Sequence, residues 1–352
     1  MFSVIFMHTA AGLLRGAVNM QWWLLNFCTS FAFTAVPLFL MMSGYLVLSS
    51  RKTLDVTFLC KKRLPHLLVP LAGWTVLAIL RGLLLEENLT LRTFLSRLVK
   101  SFNEPAAVHF WYMYLMIALY VISPILYGGL HSLDRRGHLY VAALLAFVTV
   151  QTMLTALLPD RWDKLVAFDL AFKLKIFGGH LCTFVLGYYL GGLKHKIPNW
   201  LLASGALSLW MIISLGTYWL TVQKGEYTST FQSQSAGFEV ALAACIFLLF
   251  RQNARPSAFF RWVPVVPLSL PIYLMHNLLL AAFQTAGHFP RGFFSTVRMT
   301  AVNALLCFLA VKTAATIKPL CYLFTGMHYQ AACQSCNWVF TYRNIKSWLQ
   351  RQ

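Results

Sequence analysis

Acidic side chains are scarce in this chain: 10 Asp and Glu stand against 29 Lys and Arg in 352 residues, and charged residues of all kinds make up only 11%. A soluble domain carries roughly a quarter charged residues, so the composition excludes a water-soluble globular fold. Ten-residue stretches of alternating polarity are also missing, and the apolar stretches are long and continuous, which favours helices over a transmembrane β-barrel. No polar segment is long enough to house a soluble domain, and no internal repeat or low-complexity tract stands out. The opening apolar run has neither a basic leader nor a small-residue cleavage site before the next run, so it reads as a span and not as a cleaved signal. What fills the chain is hydrophobic residues, 59% of the total, with a mean hydropathy of +0.64. This is the composition of an all-α, polytopic transmembrane helical bundle.

About ten stretches approach the ~20 residues needed to cross hydrocarbon. They cover 1–17, 27–48, 65–85, 110–130, 138–158, 176–193, 199–222, 237–252, 264–286 and 297–324. Residues 1–324 are therefore expected to form one membrane domain, followed by a cytoplasmic tail, 325–352. Loop charge orients the bundle. With residue 1 in the cytoplasm, alternate loops place sixteen cations inside: Arg51, Lys52, Lys61, Lys62, Arg63, Arg135, Arg136, Lys194, Lys196, Arg251, Arg255, Arg261, Lys318, Arg343, Lys346 and Arg351. Ten fall outside: Arg92, Arg97, Lys100, Arg161, Lys164, Lys173, Lys175, Lys224, Arg291 and Arg298. That asymmetry obeys the positive-inside rule. The formal charge of +19 thus fits orientation, anionic lipid or an anionic cytosolic ligand better than nucleic acid.

Eight cysteines are scattered mostly through apolar spans, where a thiol behaves as a small hydrophobe. Cys333 and Cys336 form a lone CxxC, which supplies two ligands without recognised zinc spacing, and no metal site is expected. Polar groups inside spans say more, since a charge at mid-bilayer costs ~2–3 kcal/mol or more. His8 lies in the first span. One reading is a structural histidine bonded to a neighbouring helix; the other is a neutral imidazole, shielded from water and fit to act as a general base. In "VPLFLMMSGYL" Pro37 loosens the helix ahead of Ser43, Gly44 and Tyr45. In "HFWYMYL" His109, Trp111 and Tyr112 stand at the outer end of the fourth span, where an interfacial aromatic belt is the plainer reading. In "LSLPIYLMHNLL" Ser269, Tyr273 and His276 share one helix face, as packing glue between helices would also do.

The order of these pieces resembles the acyltransferase-3 family of membrane O-acyltransferases. "FMHT" in the first span, "VPLFLMMSGYL" in the second, "HFWYMYLMIALYVISPIL" opening the fourth and "LSLPIYLMH" in a late span carry the likeness over most of residues 1–290. It is nearest to the smaller bacterial members of the enterobacterial common antigen O-acetyltransferase type. The family pattern sets a basic residue, then ten residues, then the first-helix histidine. His8 matches the histidine; its basic partner would fall upstream of Met1, so the native chain is expected to start earlier, the alternative being a truncated, inactive member. The resemblance implies transfer of an acyl group, commonly acetyl from acetyl-CoA, to a hydroxyl on an envelope polysaccharide or glycolipid at the bacterial inner membrane. It also implies no tightly bound cofactor.

On that reading His8 is the base, or the carrier of an acyl-histidine intermediate. Tyr45, Ser43 or Tyr273 would donate to the oxyanion. His109, Trp111, Tyr273 and His276 would contact substrate, and Lys61, Lys62 and Arg63 would dock the phosphates of the acyl-CoA donor. A transporter or flippase for lipid-linked sugars shares the basic bundle with buried histidines, but would more often show paired broken helices in an inverted repeat.

Overall fold

A computed structural model describes residues 1–158, 179–255 and 264–349. Arg161, Lys164, Lys173, Lys175, Arg261, Arg351 and the start of the expected span 176–193 lie outside the described residues. Among the described residues every regular element is a helix. In chain order these are α1 (Phe2–Ala10), α2 (Met20–Ala32), α3 (Ala35–Leu48), α4 (Leu64–Leu85), α5 (Leu91–Lys100), α6 (Trp111–Ser132), α7 (Arg135–Leu157), α8 (His180–Gly192), α9 (Asn199–Lys224), α10 (Gly237–Asn253), α11 (Val265–Thr285), α12 (Phe293–Ala314), α13 (Lys318–Thr325), α14 (Tyr329–Ser335) and α15 (Trp338–Leu349).

Seven helical stretches among the described residues are long and apolar enough to cross a membrane, one of them α2 and α3 taken together. The shorter apolar helices α1, α8 and α10 coincide with the first, sixth and eighth runs of the sequence. The boundaries differ at both ends of the chain. α2 begins at Met20, well before residue 27, because Asn19 caps it by accepting from the Trp22 N–H at 3.0 Å. Its polar residues are satisfied inside the protein: Asn26 donates to the Ser214 carbonyl at 2.9 Å, and Gln232 donates to Asn26 Oδ1 and Ser30 Oγ, both at 2.8 Å. At the other end the run 297–324 is two helices. The chain leaves α12 after Ala314 and passes through an extended Ile317; Pro319, in the first turn of α13, suits a helix start but would disrupt a helix interior.

The tightest joint is between α3 and α8. A Cβ on Gly44 would lie 1.8 Å from the Phe184 carbonyl oxygen, and one on Gly187 would lie 2.1 Å from that of Met41. Gly187 and Gly191 are spaced as a small-xxx-small pair, which lets backbones touch where lipid supplies no hydrophobic drive. Gly44→Ala and Gly187→Ala are therefore expected to lower the folded yield and the unfolding temperature in detergent, since overpacking costs about 1–3 kcal/mol. Gly192→Ala, one position along with open space around it, is the control and should match wild type by fluorescence-detected size exclusion.

α11 packs on α12, with α1 against both, and α13 lies along α4. The C-terminal segment folds back on the bundle. Trp338 donates from Nε1 to Thr313 Oγ1 at 3.1 Å, and its ring sits 4.1 Å from Lys312 Nζ, a lysine only 3% exposed. Glu239, on α10, is fully buried with neither carboxylate oxygen bonded.

Candidate active site

Three histidines from distant parts of the chain meet inside the bundle. His8 stands in the last turn of α1, His109 in a short helical turn just ahead of α6, and His276 midway along α11. Their ring centroids are 5.2 Å apart for His8 and His276, 4.8 Å for His109 and His276, and 6.2 Å for His8 and His109. Among the described residues, no group of three or more His, Cys, Asp or Glu side chains is arranged to hold a metal ion.

Hydrogen bonding distinguishes His109 from His276. Since a carbonyl only accepts, His109 donates from Nε2 to the Leu274 carbonyl at 3.0 Å, and its Nδ1 accepts from Asn277 Nδ2 at 3.3 Å. Both nitrogens are committed, and the ring is 1% exposed. His276 donates from Nδ1 to the Tyr273 carbonyl at 2.5 Å, which leaves the lone pair on Nε2; that atom is buried and has no hydrogen-bond partner. The backbone of His276 is held in turn, its carbonyl accepting from Asn303 Nδ2 at 3.0 Å, while Asn303 Oδ1 accepts from the Cys307 thiol at 3.1 Å. Only His8 is half-buried. His109 and His276 are buried, so His8 is the least enclosed of the three rings.

Two cavities approach this cluster. One of about 250 Å³ is lined by Val4, Ser43, His66, Tyr112, Ser269 and Tyr273, among others. The second, about 460 Å³, is lined by Arg81, Arg97, Lys100, Glu104, Val108 and Asn277, among others. On α4 they sit at opposite ends of the helix. On α11 the last residue of the first cavity, Tyr273, and the first residue of the second, Asn277, are one helical turn apart, about 6 Å. His276 lies in that turn.

Several expected residues are brought together and others are not. Tyr273 reaches the cluster, its ring 5.6 Å from both His109 and His276, but its hydroxyl donates to the His109 backbone carbonyl. Ser43 faces the first cavity with Tyr112, whose ring packs 5.5 Å from Tyr273. Tyr45 is not at the cluster: it lies against α8, where a Cβ on Gly191 would meet its ring at 2.0 Å. Trp111 packs on His180 at 5.2 Å. His109 is a buried partner of α11 and no part of an interfacial belt, because the chain enters the bundle before α6 begins. Lys61, Lys62 and Arg63 occupy a π-helical turn ahead of α4, with Arg63 donating to Thr53 Oγ1 at 2.9 Å. Asn277 and Asn303 are additions to the expected set; an amide in an apolar helix needs a partner, and that need was their only signal in the sequence.

Three histidines gathered inside a bundle of apolar helices, with a cavity on either side of their place on α11, form the candidate site. The acyltransferase domain family model matches residues 1–317, and the chain belongs to that family: it is a multi-pass membrane acyltransferase. No match to the chain was found among curated proteins, and none among solved structures.

Proposed function

We propose that the protein moves an acyl group, acetyl in the first instance, from acyl-CoA to a hydroxyl of a cell-envelope glycan or glycolipid, as O-acetyltransferases of the enterobacterial common antigen type do. The observation that carries this reading is the position of the histidine cluster, at the turn of α11 that separates two cavities, between Tyr273 of one and Asn277 of the other. The donor enters from the cytoplasm, where Lys61, Lys62 and Arg63 attract its phosphates, and its thioester occupies the cavity bounded by Ser43, Tyr112 and Tyr273. The acceptor enters the opposite cavity, beside Asn277.

His8 takes the proton of the acceptor hydroxyl as that oxygen bonds to the thioester carbon. The tetrahedral oxyanion accepts from the hydroxyls of Tyr112 and Ser43, which face the same space. As it collapses the C–S bond breaks, and the departing thiolate takes the proton from His8, so the products are an ester and free CoA. His276 acts behind His8: its unpartnered Nε2 can accept from the imidazolium N–H, with the Tyr273 carbonyl holding the ring in place.

The orientation is tested by impermeant thiol labelling of intact cells. Native Cys60 is exposed beside Lys61 and should be spared, reacting only in inverted vesicles, whereas a cysteine at Glu87→Cys should be labelled in intact cells. The reverse pattern would overturn the topology. The chemistry is tested by supplying labelled acetyl-CoA to inverted membrane vesicles. Alkali-labile label should appear in the envelope glycan or lipid fraction only when the protein is present; equal labelling without it would refute the reading. A flippase would move sugar lipid without consuming acetyl-CoA.

A further inference from the structure

A third cavity, of about 250 Å³, is lined by Lys61, Lys62, His66, Tyr322, Gly326, Met327, His328 and Ala331. It joins two parts of the chain: the cationic turn ahead of α4 and the C-terminal segment that follows residue 317, where the family match ends. His66 lines both this cavity and the one beneath the histidine cluster, so the two adjoin at that side chain.

The C-terminal wall is built into the fold. α13 is tied to α4 where Trp74 Nε1 donates to the Phe324 carbonyl at 3.0 Å and His66 Nδ1 donates to the Gly326 carbonyl at 3.1 Å. Gly326 sits at φ +71°, in left-handed backbone, and a Cβ there would lie 2.4 Å from the His66 carbonyl oxygen, so both conformation and approach require glycine. Beyond it, the His328 ring stacks on Tyr322 at 5.2 Å and 20°. Tyr322 is half-buried and His328 exposed, so the stack has a free outer face. Among the described residues no carboxylate lines the cavity beside Lys61 and Lys62.

Two ammonium groups with no ion-pair partner among the described residues, beside an open aromatic stack, suit a ligand that joins phosphates to a planar ring. We propose that this cavity is the nucleotide subsite of the donor, with Lys61 and Lys62 on the phosphates and the adenine extending the Tyr322–His328 stack. From there the pantetheine arm passes His66 toward the histidine cluster. The inference rests on acyl-CoA being the donor, and it assigns a binding role to a segment that lies beyond the acyltransferase domain. A base laid on an aromatic face gains enough that losing it weakens binding about tenfold or more, and the phosphate contacts are screened by salt.

The test is equilibrium binding of CoA and of pantetheine to the purified full chain in neutral detergent. Wild type should bind CoA more tightly than pantetheine, with a margin that shrinks as salt rises. His328→Ala, and separately Lys61→Gln with Lys62→Gln, should weaken CoA binding about tenfold or more and close most of that margin, while leaving the size-exclusion profile unchanged. CoA binding at wild-type strength in both variants would overturn the subsite while leaving the donor reading intact. Lysine variants that keep CoA affinity but lose bound phosphatidylglycerol would assign the cations to lipid and likewise overturn it. Wild type that binds neither CoA nor pantetheine would remove the donor reading, and the subsite with it.

Discussion

Replacing His8 by alanine is expected to lower acyl transfer by ~10²–10⁴-fold, the usual contribution of a positioned general base, with little loss of folded protein. The expectation of normal folding comes from the packing of α1, which buries Val4, Ile5, Phe6, Met7 and Ala10 while His8 is only half-buried. His8→Gln should fail almost as badly, because an amide can hold a hydrogen bond but cannot take the proton. A structural histidine would behave differently: glutamine would restore most activity, and alanine would lower yield together with turnover. The measurement is transfer from labelled acetyl-CoA in membranes, normalised to folded protein.

The second large effect concerns His276. If its Nε2 supports the protonated His8, then His276→Ala removes an interaction that matters only while the proton is on His8. Activity should fall by about two orders of magnitude or more, within the range for acid–base groups. The stronger statement is about the double variant. Residues that act as a unit are grossly non-additive, so His8→Ala with His276→Ala should be no slower than His8→Ala alone. Losses that multiply would mean that the two rings act independently. His276→Ala also removes the Nδ1 bond to Tyr273, so the folded fraction must be checked beside the rate. Tyr273→Phe is a useful companion, since it deletes the hydroxyl that holds the His109 carbonyl and leaves both His276 contacts in place.

The helical bundle was legible because hydrocarbon thickness sets the length of an apolar run, whatever the helices pack against; about ten runs were expected, and seven helical stretches among the described residues are long and apolar enough to cross a membrane. The ends of the helices were less legible. The expected second span began at residue 27, yet α2 starts at Met20 and its Asn26 is satisfied in the fold by Gln232, which also donates to Ser30. His109 carried the same ambiguity: beside Trp111 and Tyr112 it matches an interfacial belt, and only the depth at which the chain enters the bundle makes it a partner of α11. The stripe on α11 was readable, since Ser269, Tyr273 and His276 follow helical spacing. That His276 of this stripe meets His8 depends on how α1, α11 and α12 pack, which no single helix encodes.

Tyr45 is the instructive case. Ser43 and Tyr45 are two residues apart, so they point about 200° from each other around a helix. Once Ser43 faces the cavity, Tyr45 must face elsewhere, and the close approach of Gly191 receives it. The tyrosine that lines the cavity with Ser43 is Tyr112.

The account turns on His8 serving an ester-forming reaction on an envelope glycan, and the most direct measurement is made in cells. A strain lacking the gene should lose ester-linked acyl groups from its envelope glycans, as read by mass before and after mild alkali. Wild-type protein should restore them, and His8→Gln, present at equal level in the membrane, should not. Unchanged glycan acylation in the deletion strain, or full restoration by His8→Gln, would contradict the account.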